Sequence, residues 1–203
     1  PIARDAIGIT ETMEADVPYG RRVLIETGES VSMPKRYVHF DVETDPTGGI
    51  PNPALADRQI ISIATITNDG EERFFCRADE AQLLEEFRAY VTDFPVLCAF
   101  NGNHFDEPIL LGRCKAVGIE YPWWKFHVFV DLLAIYKFVL QKRQDKYSLK
   151  HIAREEHLVA QKRDIEISRL MEHFESFLQT GDTTLKDYNL YDVRVMRELD
   201  HKL

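Results

Sequence analysis

The segment from Tyr37 to Thr44, Tyr-Val-His-Phe-Asp-Val-Glu-Thr, constrains the fold of this chain more tightly than any other. Its apolar residues recur with period two, the repeat of a β-strand, in which positions i and i+2 share a face. Asp41 and Glu43 therefore point the same way, with His39 on their side. Next, Thr44 to Pro53 is dense in turn residues and reads as a loop. Gln59 to Thr67 is rich in Ile and reads as a central strand. Asn68-Asp69-Gly70 marks a hairpin, and Glu71 to Cys76 returns as a third strand.

After the hairpin the pattern changes period. Asp79 to Tyr90 carries Leu83, Leu84, Phe87 and Val91 on one side, as an amphipathic helix does. Pro95 precedes a short apolar strand, Val96 to Phe100. The loop Asn101-Gly102-Asn103 leads into a helix with Ile109, Leu110 and Leu111. An apolar run from Phe126 to Val130 enters a helix expected over 131–142, with Asp131 as its cap. Ser148 caps a short helix, and the Ile and Leu positions from Ile165 to Leu178 predict another that Gly181 stops. Asp182 or Thr183 caps a last helix running towards Leu199. Strands first and helices after imply an α/β domain, a mixed sheet with flanking helices. Residues 1–36 are polar apart from Val23-Leu24-Ile25 and read as an extension, leaving 37–203 as the domain.

Composition narrows the function. The chain has 203 residues, 44% of them hydrophobic, enough for one well-filled core. Its 25 basic and 34 acidic side chains give a net charge of −9, which argues against coating nucleic acid by bulk charge. A local basic groove and a carboxylate site remain compatible with that total. Cys76, Cys98 and Cys114 form no CxxC pair and read as buried free thiols of a reducing compartment. No apolar run approaches the roughly 20 residues of a bilayer span, so a soluble, cytoplasmic protein is expected. The chain opens on Pro1 rather than Met, as a piece of a longer protein would.

Individually, the acids admit two readings each. Asp41 and Glu43 are either a solvated face or a pair whose repulsion a divalent cation relieves. Asp106, followed by Glu107-Pro108, reads as a helix N-cap or as an acid in the crevice past a strand end. Tyr188 and Asp192 are four apart and share a helix face with Leu185, Val195 and Leu199. An Asp in that apolar stripe is either a surface residue or a buried functional group. The seven histidines show no zinc-type spacing. His39 is expected to be a packed histidine, and His104 stands near the site by sequence only. Trp123-Trp124 is expected to anchor its loop to the core.

Taken in order, these segments resemble the DEDD exonuclease superfamily, and within it the 3′–5′ proofreading exonuclease domain of archaeal-like family B DNA polymerases. Phe40-Asp41-Val42-Glu43-Thr44 is similar to the family's D-[IV]-E-T. The segment Asn101-Gly102-Asn103-His104-Phe105-Asp106-Glu107-Pro108 is similar to N-G-x-x-F-D-x-P. Tyr188-Asn189-Leu190-Tyr191-Asp192 has the Y-x-x-x-D form of the tyrosine subclass; the histidine subclass would need His at position 187, which is Asp. Further likeness lies in Gly48 to Pro53, in Ile60-Ile61-Ser62-Ile63 and in Lys146-Tyr147-Ser148-Leu149. The stretch Ala15 to Ile25 resembles the exit segment of the polymerase N-terminal domain. No S-L-Y-P-S and no Y-x-D-T-D segment occurs, so no polymerase active site is expected in this chain.

The resemblance implies a ribonuclease-H-like fold and two-metal hydrolysis of the last phosphodiester at a single-stranded or frayed DNA 3′ end. It implies catalytic roles for Asp41, Glu43, Asp106, Tyr188 and Asp192. Two Mg²⁺ ions would balance the four acids, with Mn²⁺ substituting. Asp41, Glu43 and Asp106 would surround one ion, Asp41 and Asp192 the other. Tyr188 would orient the attacking water, its reference pKa of about 10 making it a poor base. Asn101 and Phe105 would contact the terminal nucleotide, Phe105 by stacking or else as a core aromatic. Lys162 would contact a phosphate or else lie on a solvated basic surface. The remainder of a polymerase is the implied partner. Two alternatives stay open: a fragment that folds without turning over, and a stand-alone relative acting on RNA.

Overall fold

In the computed structural model, residues 36–47, 52, 57–142, 144–158 and 165–203 are described. The first strand, β1 (Val38–Thr44), lies in the middle of the sheet. β2 (Ile60–Thr67) and β3 (Glu72–Phe75) follow through the expected hairpin, whose turn uses Gly70 at φ +98°. β4 (Val96–Ala99) and β5 (Val128–Asp131) complete a five-stranded sheet of order β3-β2-β1-β4-β5. β1, β2 and β3 pair antiparallel, whereas β4 runs parallel to β1 and β5 parallel to β4. The mixed sheet and its flanking helices are those expected.

The helices are α1 (Glu80–Val91), α2 (Asp106–Ala116), α3 (Trp123–Phe126), α4 (Leu132–Ala134), α5 (Leu149–Glu155), α6 (Leu170–Thr180) and α7 (Thr184–Lys202). Asp79 caps α1 by accepting from Ala81 N–H at 2.9 Å, and Ser148 caps α5 through His151 N–H at 3.3 Å. Gly181 ends α6 at φ +75°, a left-handed conformation that glycine adopts without strain. Asp182 accepts from Thr184 N–H at 2.7 Å at the start of α7.

The apolar run Phe126 to Val130, to which the sequence assigns no element, ends α3 at Phe126 and forms most of β5. One expectation needs correction. The expected helix over 131–142 is α4 followed by a π-helical stretch, Ile135–Val139. Asp131 does cap α4, accepting from Leu133 N–H at 2.9 Å and Ala134 N–H at 3.2 Å.

Strand alternation separates the two faces of β1. Val38, Phe40 and Val42 join Leu83, Leu84, Phe87, Ile109, Leu110 and Trp123 in one buried cluster. Burying each such side chain contributes about 1.5–3 kcal/mol. On the other face α7 crosses β1 and β2, packing Leu190 and Val193 against Ala64 and Ile66. Further along, Val195, Met196 and Leu199 pack against Leu132, Leu133 and Tyr136. Cys76, Cys98 and Cys114 are buried free thiols. Among the described residues no helix is long and apolar enough to cross a membrane. The proposed extension lies outside the described residues except for Arg36, as does most of the loop after Thr47.

Candidate active site

Three acids meet where α7 crosses the polar face of β1. Asp41 and Glu43 stand two apart on that strand, opposite Ala64 and Ser62 of β2. Asp192 comes from α7. One carboxylate oxygen from each of the three lies within 4.8 Å of the others, and all three side chains are half-buried. At that spacing each pair of ionised carboxylates repels by about 3 kcal/mol at an effective dielectric of about 20. Three hard oxygen donors with neither sulfur nor imidazole among them suit Mg²⁺ or Mn²⁺. The donor set therefore fits a divalent ion, which Asp41, Glu43 and Asp192 would hold.

Asp106 belongs to the same neighbourhood but not to that group of three. It is not an N-cap: Phe105 holds that position, and Asp106 is the first residue of α2. Its side chain is 2% exposed, and its Oδ1 accepts from Val42 N–H at 3.1 Å. β1 pairs with β4 only at Val38 and His39, so past them its edge is open. The Asp106 carboxylate satisfies a backbone donor on that edge. Burial pushes its pKa up to about 7; the Val42 hydrogen bond opposes this, and the negative charges of Asp131 and Asp192 add to it.

The loop between β4 and α2 is held by a residue the sequence marks only as a cap. Besides capping α4, Asp131 accepts from Asn101 N–H at 2.9 Å through Oδ1 and from Asn103 N–H at 3.4 Å through Oδ2. Asn101 is left-handed at φ 60°. Gly102 follows, and a Cβ there would stand 2.6 Å from the Ala99 Cβ, so only glycine fits. Phe105 is half-buried and packs on the cluster around Phe40 and Phe87. Of its two readings, the core aromatic matches this contact.

Tyr188 is half-buried against the cluster of Ile61, Leu170, Phe174 and Leu185, one helical turn before Asp192. Between them sits Asn189, which motif reading passes over. Its Nδ2 donates to Asp41 Oδ2 at 2.6 Å, and its Oδ1 accepts from Ser62 Oγ at 3.1 Å. The one sequence sign of it is an amide inside an apolar helix stripe.

Other expectations resolve individually. His39 is buried and paired with Asp200 at 3.2 Å, and Tyr37 Oη donates to the same carboxylate at 2.7 Å. It is a packed histidine that ties α7 to β1. His104 is exposed. Trp123 is 2% exposed in the core and anchors its segment, as expected. Lys162 lies outside the described residues.

A family model for the RNase_H superfamily matches residues 38–203, from the first residue of β1 to the end of the chain. The chain belongs to the RNase H superfamily. Within this superfamily its likeness is to family B DNA polymerases, as the three motifs suggest. DNA polymerase 1 of Sulfurisphaera ohwakuensis is 29% identical over 119 residues, which is 49% of this chain and 12% of that polymerase. The family B DNA polymerase of the hyperthermophilic archaeon Pyrobaculum calidifontis matches with a TM-score of 0.68 at 25% identity. That match covers 84% of this chain and 24% of the polymerase chain. The chain thus spans only a minor part of each of these relatives. It is an RNase H-like nuclease domain with an acidic cluster able to hold metal.

Proposed function

We propose that this domain is a metal-dependent 3′–5′ exonuclease of the proofreading kind, removing nucleotides from single-stranded or frayed DNA ends. The observation that carries the proposal is the convergence of Asp41, Glu43 and Asp192 within 4.8 Å, in a superfamily of nucleases. Asp106, buried at the neighbouring strand edge, is the fourth acid of the reading. Two divalent ions, Mg²⁺ or Mn²⁺ when bound, supply the stabilisation of attacking and leaving oxygens that an in-line phosphoryl displacement needs.

The chain's own residues have separate tasks. Asp41 and Glu43 hold their carboxylates on one rigid strand face, so their separation does not drift. Asp192 closes the site from α7, and Tyr188, one turn earlier, orients the attacking water through its hydroxyl. Asn101, on the loop that Asp131 holds, is assigned a contact with the terminal nucleotide; Phe105, packed on the core cluster, can stack on that nucleotide only through its exposed part. Lys162 is assigned a phosphate contact. A paired end does not reach the crevice without fraying, which restricts the substrate to single-stranded termini. The remainder of a family B polymerase is the partner this reading assigns, in keeping with the share of each polymerase that the chain matches.

The test compares wild type and Asp41→Ala on single-stranded oligonucleotides labelled at either end, with Mg²⁺, in DNA and RNA forms. Wild type should shorten 5′-labelled DNA as a ladder and release label from the 3′ end as mononucleotide, with Asp41→Ala at background. Equal products from both proteins, or 5′-end release, refute the proposal. Faster loss of the RNA form refutes the DNA assignment.

A further inference from the structure

We propose that Asn189 is a positioning residue for Asp41, setting the orientation of this carboxylate towards the metal; the inference rests on the reading of the site given above. Asn189 is fully buried on the sheet-facing side of α7, where the neighbouring buried positions are Leu185, Leu190 and Val193. A primary amide at such a position costs stability unless both of its ends are bonded. Both are: Nδ2 donates to Asp41 Oδ2 at 2.6 Å, with a longer contact to the Asp41 carbonyl at 3.5 Å, and Oδ1 accepts from Ser62 Oγ at 3.1 Å. Ser62 is itself fully buried, a hydroxyl in the Ile-rich strand β2 and directly across from Glu43.

The three residues form a chain of defined polarity. An ionised carboxylate only accepts hydrogen bonds, so the Asn189 NH₂ must face Asp41. The amide oxygen must then face Ser62, whose hydroxyl donates to it. This fixes the amide orientation without ambiguity. It also ties β2, α7 and β1 together at the metal-facing carboxylate, although Asn189 and Asp41 are 148 positions apart in the chain. A neutral donor suits the task. Lysine or arginine in its place would neutralise Asp41 and oppose a cation, whereas an amide fixes the carboxylate rotamer and leaves its charge. Removal of such outer partners of metal ligands typically lowers metal affinity or activity by about 10- to 100-fold.

The test measures Mn²⁺ binding to the whole chain without DNA, by the electron paramagnetic resonance signal of free Mn²⁺. Wild type, Asn189→Ala, Ser62→Ala and Asp41→Ala are compared, each checked for fold by circular dichroism and thermal melting. Asn189→Ala should fold, bind Mn²⁺ at least 10-fold more weakly, and keep its KM for single-stranded DNA. Its kcat should fall at low Mn²⁺ and recover as Mn²⁺ is raised, which a loss of packing alone would not produce. Ser62→Ala, which frees only the far end of the amide, should show the same change at a few-fold. Folded Asn189→Ala with wild-type Mn²⁺ affinity overturns the inference and leaves the exonuclease reading standing. If Asn189→Ala does not fold, Ser62→Ala decides, and wild-type affinity there overturns the inference. Wild type that binds Mn²⁺ no better than Asp41→Ala and degrades no DNA overturns both.

Discussion

Asp106 makes the stability of the metal-free protein depend on pH in a direction opposite to that of an ordinary paired carboxylate. Its side chain is 2% exposed, and its pKa rises from an ordinary 3.8 to about 7 in the fold. Between those values the folded chain holds a proton that the unfolded chain has released. The unfolded state then binds fewer protons, so stability falls as pH rises. Below about 4 both states are protonated and the group is neutral to stability; above about 7 the full penalty is in place. The slope is about 1.4 kcal/mol per pH unit, with a ceiling of about 4 kcal/mol across the window. For a chain of this size that corresponds to a melting shift of roughly 10 °C. Asp106→Asn retains an oxygen to accept from Val42 N–H and removes the ionisation. Thermal melts in EDTA at half-unit steps from pH 5 to 8.5 should show wild type losing stability relative to Asp106→Asn, with the curves diverging up to about pH 7. Saturating Mg²⁺ should flatten the wild-type curve, because the ionised carboxylate then faces a cation. Parallel curves for the two proteins in EDTA would refute the reasoning.

Three further substitutions probe the frame around the site. Glu80 is 7% exposed and accepts from Ile60 N–H at 2.7 Å and from Arg113 at 2.9 and 2.5 Å. Glu80→Ala removes the carboxylate that accepts from Arg113 and from a strand donor, and should cost about 3 kcal/mol in urea unfolding. Asp131→Ala leaves Asn101, Leu133 and Ala134 N–H groups without their acceptor; about 2–3 kcal/mol should be lost, with a raised KM for single-stranded DNA and a smaller change in kcat. Gly102→Ala brings a methyl to 2.6 Å from the Ala99 Cβ and should cost about 1–3 kcal/mol, read as a lower melting temperature.

The parts of the site that sequence reveals are those governed by a local period. Asp41 and Glu43 share a face because strands repeat every two residues, and Tyr188 and Asp192 lie one turn apart because helices repeat near four. Those two facts are local, and both are realised in β1 and α7. The other strands are readable from Ile-rich or apolar runs bounded by turn residues, except β5, whose short run reads only as leading into a helix. What sequence does not reveal are bonds whose two ends are far apart in the chain. Asp106 meets Val42 N–H across 64 residues, Asp131 meets Asn101 N–H across 30, and Ser62 meets Asn189 across 127. Backbone donors have no letter in a sequence, so the first two bonds leave no trace beyond an acid near a strand end. Ser62 and Asn189 leave a fainter one: each is a polar residue inside an apolar run, Ser62 among Ile60, Ile61 and Ile63, Asn189 beside Leu185 and Leu190. A polar group in such a run must be bonded once it is buried. The sequence therefore announces that each needs a partner, and only the fold shows that they partner each other and, through Asn189, Asp41.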